Sequence, residues 1–98
     1  MSKTYEKKGL HGYIKHGFVI LHEVIYDAAC RIYIDQECAI NPDSISCVVS
    51  EEHQQVGIIT RCYFTNCAER IKVYEPMDEV LELLDECKKK NRDTNIYV

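Results

Sequence analysis

The side chains best able to do chemistry in this chain of 98 residues are six cysteines and four histidines. Cys62 and Cys67 are separated by four intervening residues, a spacing that supplies two thiolate ligands for zinc if His22 or His53 joins them. Structural zinc sites usually draw on two such close pairs, and the second pair is missing. The same residues read more simply as a small core hydrophobe on a strand, Cys62, and a turn residue, Cys67. No metal and no cofactor is therefore expected. A nucleophilic thiol would need an oriented base beside it. There is no C-x-x-C pair, and the four glycines are scattered rather than gathered into a phosphate loop. His22 lies inside an apolar run, and His11 and His16 lie near the start of the chain, where solvent exposure is expected. No catalytic residue emerges, and the expectation is a protein that is not an enzyme.

Binding chemistry is better represented. The formal charge of -4 is unevenly spread. Residues 1–16 and residues 88–98 each carry a net +3, while residues 17–87 set fourteen acidic against four basic side chains, a net of -10. So acidic a body repels nucleic acid phosphates, and direct nucleic acid binding is not expected. Its carboxylates are either a solvated surface or a face that docks on a basic partner, with Glu51, Glu52, Asp78, Glu79 and Glu82 the candidates. The seven tyrosines add a second resource. Tyr33, Tyr63 and Tyr74 fall on the outward faces of expected strands, and a ring with a polar tip suits an interface. Tyr33 and Tyr63 join the candidate partner-binding set.

These residues must be positioned by something, and the periodicities name the elements. Residues 18–26 (FVILHEVIY) alternate as a strand. A turn at 27–29 leads to a second strand over 30–35, with Cys30, Ile32 and Ile34 inward. Residues 36–40 cross to a turn at Asn41, Pro42, Asp43 and Ser44. Ile45, Cys47 and Val49 form the inward face of a third strand, residues 51–55 a polar loop, and 56–64 and 70–74 two further strands. Short connections predict an antiparallel meander of about four to five strands. Pro76 opens a helix whose Met77, Val80, Leu81, Leu84 and Cys87 fall on one face, with Leu83 widening the stripe. Its acids sit early and its lysines late, complementing the helix dipole. The helix is expected to end after Asn91, leaving residues 96–98 as a short strand or tail. The fold expected is α+β: a basic N-terminal arm over residues 1–16, then one domain over 17–98.

Three segments of this pattern occur in a familiar order. They are Ile40, Asn41, Pro42, Asp43, Ser44 and Ile45; the hairpin turn at Phe64, Thr65 and Asn66; and Val73, Tyr74 and Glu75 leading into Met77, Asp78, Glu79 and Val80. The arrangement resembles the small flagellar-associated proteins of the FlbD or SwrD type, with their INPD-x-I segment, T-N-G hairpin and V-x-E-x-x-x-E-V helix opening. Cys67 stands where that pattern has its turn glycine, the hairpin is one residue longer, and the basic arm and Lys-rich tail have no counterpart. The resemblance implies a sheet-plus-helix fold and an accessory role, with no catalytic residues to carry over. Small proteins with this pattern also occur in phage and mobile elements.

The leading expectation is a non-enzymatic accessory or regulatory module that binds another protein and forms a homodimer, the small core making self-association an obvious stabiliser. The alternative is a phage or mobile-element inhibitor, such as an anti-CRISPR or other anti-defence protein, whose acidic surface blocks a nucleic-acid-binding groove. No run reaches the roughly 20 apolar residues of a membrane span. The polar opening residues do not read as a signal peptide. A cytoplasmic location and free thiols are expected.

Overall fold

The β-branched and aromatic runs become six strands: β1 (Tyr13–Lys15), β2 (Phe18–Asp27), β3 (Ile32–Ile40), β4 (Ile45–His53), β5 (Gly57–Phe64) and β6 (Arg70–Val73), followed by one helix, α1 (Met77–Ile96). The computed structural model describes residues 9–96, with side chains to residue 93. Every pairing is antiparallel. The sheet runs β1-β2-β6-β5-β4, and β3 lies along the other edge of β2. The fold is α+β, an antiparallel sheet packed by one C-terminal helix. Among the described residues no helix is long and apolar enough to cross a membrane.

The helix is fixed to one face. Val80, Leu84 and Cys87 pack with Val19, Leu21, Ile40, Cys62 and Val73 in the main core. At the far end of the sheet Val56, Ile59 and Tyr74 form a smaller core with Leu10, Val24 and Tyr33. Two glycines make the helix contact possible. Gly12 lies so close to the helix that an added Cβ would stand 2.6 Å from Leu83 Cδ1 and 2.9 Å from the Ile20 carbonyl oxygen. His16 and Gly17 both take positive φ, 53° and 82°, as a two-residue β-hairpin turn requires. The Gly17 carbonyl then accepts from Asn91 Nδ2 (3.2 Å) and Cys87 Sγ (3.3 Å), tying the helix to the hairpin.

Several expectations are corrected. Residues 13–15, read as arm, are strand β1, because the turn at His16 and Gly17 folds them onto β2; residues 1–8 lie outside the described residues. Strand β3 begins at Ile32 and continues to Ile40, so Cys30 is an exposed turn residue rather than an inward one. In β4 a bulge between Ile45 and Cys47 shifts the alternation. Val48 then turns inward to the core, while Cys47 and Val49 are exposed. Residues 51–53, read as loop, remain in β4. Tyr74 is buried, not outward, and its hydroxyl donates to the Ile34 carbonyl at 3.1 Å. Leu81 is 46% exposed, leaving the helix stripe to Val80, Leu83, Leu84 and Cys87. Pro76 sits one residue before the helix, its carbonyl accepting from the Val80 N–H at 3.0 Å. The helix also runs past Asn91 to Ile96; Tyr97 and Val98 lie outside the described residues.

Candidate interaction surface

Two carboxylates organise polar groups across the strands. Glu75 is fully buried. β1 flanks β2 only as far as Ile20, and β6 meets it at Glu23, so the N–H of His22 falls in the gap between them. Glu75 fills that gap, accepting from the His22 N–H at 3.0 Å and from His22 Nδ1 at 2.5 Å. Thr60 Oγ1 donates to the Glu75 carbonyl at 2.7 Å, and the Tyr74 N–H donates to the His22 carbonyl at 2.8 Å. On the outward side, His22 Nε2 lies 3.8 Å from Glu37 Oε2, which accepts from the Tyr13 hydroxyl at 3.0 Å. Accepting that phenol proton is also what raises the Tyr13 pKa above its ordinary value. The pair locks a buried imidazole and completes the sheet ladder. The nearby Cys38 thiol donates to the Leu21 carbonyl at 3.5 Å, and burial pushes its pKa up to about 11, so it is held as a thiol.

Glu51 does the equivalent work on a surface. In β5, Cys62 turns toward the helix, so the alternating Arg61 and Tyr63 lie on the opposite face of the sheet. Arg61 pairs with Lys72 of β6 and Val49 of β4, and Tyr63 pairs with Cys47 and Arg70. Glu51 reaches across this patch. One carboxylate oxygen takes Arg61 through both Nε and Nη2, and the other accepts from Lys72 Nζ at 3.1 Å. The second arm of Arg61, Nη1, donates to the Tyr63 hydroxyl at 2.7 Å. The guanidinium carbon also lies 5.9 Å from the Tyr63 ring centroid. Arg61, foremost, and Lys72 hold the Glu51 pKa below its ordinary value. The patch thus presents an ordered Arg and Tyr, the exposed Val49 and Cys47, and Arg70, with one carboxylate among three cationic side chains.

No family model, curated protein or solved structure matches the chain. The geometry is therefore the ground for a functional reading.

The candidate residues taken from the sequence divide among three places. Glu51 and Tyr63 meet in the outer-face network. Tyr33 is partly buried at the far end of the sheet, with the Tyr26 ring tilted against it (5.0 Å between centroids) and the His53 ring edge-on to it (4.8 Å). Asp78 and Glu82 are exposed on the helix, on the other side of the sheet. Glu79 is turned inward, accepting from the Gly12 N–H at 2.6 Å with His11 Nδ1 at 3.5 Å. Glu52 follows Glu51 on β4 and points to the opposite face from it. The five acids do not form one surface. Among the described residues no group of three or more His, Cys, Asp or Glu side chains is disposed to hold a metal ion.

Arg61, Lys72 and Glu75 were missed in the sequence. For Arg61 and Lys72 the available signal was alternation, which puts both on the face of Tyr63. For Glu75 it was continuation of the inward series Ile71, Val73 by one more step.

Proposed function

We propose that the chain is a non-catalytic protein-binding module that engages its partner through the outer face of β4, β5 and β6. The observation that carries this reading is the Glu51–Arg61–Tyr63–Lys72 network. Arg and Tyr are the residue types that dominate binding energy at interfaces. Immobilising such side chains on binding ordinarily costs about 0.5–1.5 kcal/mol each, and here they are already held before any partner arrives. The exposed Val49 and Cys47 beside Tyr63 supply apolar contact area. An accessory role is also what the FlbD- and SwrD-like resemblance implies. Cationic groups outnumber the carboxylate on this face, which favours a partner offering carboxylates or backbone carbonyls. The inhibitor reading would instead draw on the helix carboxylates Asp78 and Glu82.

The test is affinity capture of a partner with the wild-type chain, followed by titration of that partner against variants. Tyr63→Ala and Arg61→Ala are expected to weaken binding by about 2 kcal/mol each, the hot-spot range. Asp78→Lys/Glu82→Lys should leave it within a factor of two or so. The reverse pattern, with binding that falls steeply as salt rises, would reject the outer face and restore the acidic inhibitor.

A further inference from the structure

On the other side of the sheet, β4 ends the strand order and, among the described residues, pairs with β5 alone. Beside that edge a groove of about 260 Å³ opens between Ile45, Ser46, Cys47 and Val48 of β4 and Leu81, Leu84, Asp85 and Lys88 of α1. It continues past Lys88 into a cleft bounded by Asp43, Asn91 and Arg92. Asp78, Leu81, Asp85, Lys88 and Arg92 follow one another at spacings of three and four, so they form one flank of the helix. That flank is acidic at one end, basic at the other, and carries the half-exposed Leu81 between.

The acid-first, base-last order also suits the helix dipole and would occur on an isolated helix. The dipole does not account for an exposed leucine beside an open strand edge. A flank of this polarity complements itself when a second copy is turned end for end. From this we infer that the chain forms a two-fold symmetric homodimer in which β4 pairs antiparallel with β4 of a second copy and the two α1 flanks pack antiparallel above the joined sheet. Both helices then lie on the same side of one continuous sheet, as a two-fold axis perpendicular to it requires. With the helices centred between Leu84 and Asp85, the Lys88 stem of one copy lies over Leu81 of the other and its ammonium reaches Asp85. Arg92 comes opposite Asp78 of the other copy. The Arg61 and Tyr63 side chains lie on the opposite face of the sheet, which stays open to a different partner; Cys47 borders both surfaces.

The experiment is sedimentation velocity on the full chain across a concentration series, with circular dichroism to show that each variant is folded. Wild type is expected to pass from monomer to dimer, and raised salt should shift the balance toward monomer. Leu81→Glu, at a half-exposed position, should stay folded and become monomeric. Asp85→Lys alone and Lys88→Glu alone should each raise the dissociation constant about tenfold, since two symmetry-related surface pairs are lost together. The double exchange Asp85→Lys/Lys88→Glu should recover most of that loss. A wild-type chain that remains monomeric at every concentration overturns the inference, as does a dimer indifferent to Leu81→Glu or a double exchange no better than the singles. None of these outcomes bears on partner binding by Tyr63, which is measured separately.

Discussion

Glu75 and Glu51 are both glutamates that reach across strands to gather donors, yet they stand in opposite settings. Glu75 lies wholly inside, with an imidazole and a backbone N–H as its donors. Glu51 is part-buried on the outer face, between a guanidinium and an ammonium that remain partly in solvent. The first replaces a missing stretch of strand pairing; the second orders side chains that a partner would meet. What differs is the surrounding dielectric. Removing one member of a buried pair leaves an unsatisfied group in the interior, whereas water takes over for a lost surface partner.

The largest effect is therefore expected at Glu75. Glu75→Ala strips the His22 N–H and Nδ1 of their acceptor and opens a void in a region with no exposure. A loss of about 3–5 kcal/mol is expected, a large part of the stability of a domain this size. Urea titration followed by circular dichroism measures it. A loss below about 1 kcal/mol would mean that the ladder gap closes without the carboxylate, and the contrast with Glu51 would vanish.

At Glu51 the effect is small and depends on pH. Glu51→Gln should cost no more than about 1 kcal/mol near neutrality, as expected of part-exposed ion pairs. The folded-state pKa of Glu51 lies below its ordinary value of 4.5. Its contribution is thus complete above that value and is lost as pH falls through the lower, folded-state value. The stability gap between wild type and Glu51→Gln should therefore close on acidification. A gap that is constant from pH 7 to pH 3 would show that the charge pairing contributes nothing.

These two residues also mark how far the sequence could be read. Alternation and helical periodicity were enough for β2, β5, β6 and α1, because long apolar runs leave few alternatives. They failed where one local event reset the phase. The bulge after Ile45 inverted the assignments of Cys47 and Val49, and no residue type there announces a bulge. The hairpin at His16 and Gly17 drew residues 13–15 into the sheet, although their composition matches the rest of the basic segment. Pairing of β2 with β6 joins residues about fifty positions apart, and that pairing creates the place that Glu75 fills. Parity extends the inward series Ile71, Val73 to Glu75, but a charge next to a proline ordinarily reads as solvent-exposed. At the surface, outward placement of Tyr63 followed from strand parity alone, while Tyr74, of the same parity, is buried because the smaller core of Val56 and Ile59 covers that end of the face.

The smallest energetic effect, and the finest probe of the same contrast, is thiol reactivity. All six cysteines are free, and they divide as the two glutamates do. Cys30, Cys47 and Cys67 are exposed, Cys47 lying directly across from Tyr63 on the outer face. Cys38, Cys62 and Cys87 belong to the main core or pack against it. Burial pushes Cys62 up to about 12 and raises Cys87 as well, so neither thiolate forms near neutrality while the core is closed. A maleimide added to the folded chain at pH 7.5, a solution value chosen near the ordinary thiol range, should label three thiols quickly and three slowly. The slow phase should be limited by core opening, so it reads the free energy that closes the core. Glu75→Ala should accelerate that phase by orders of magnitude, and Glu51→Gln by less than about tenfold. Equal acceleration by the two variants would mean that the outer network and the interior pair open as one unit. The difference in setting between the carboxylates would then have no mechanical consequence.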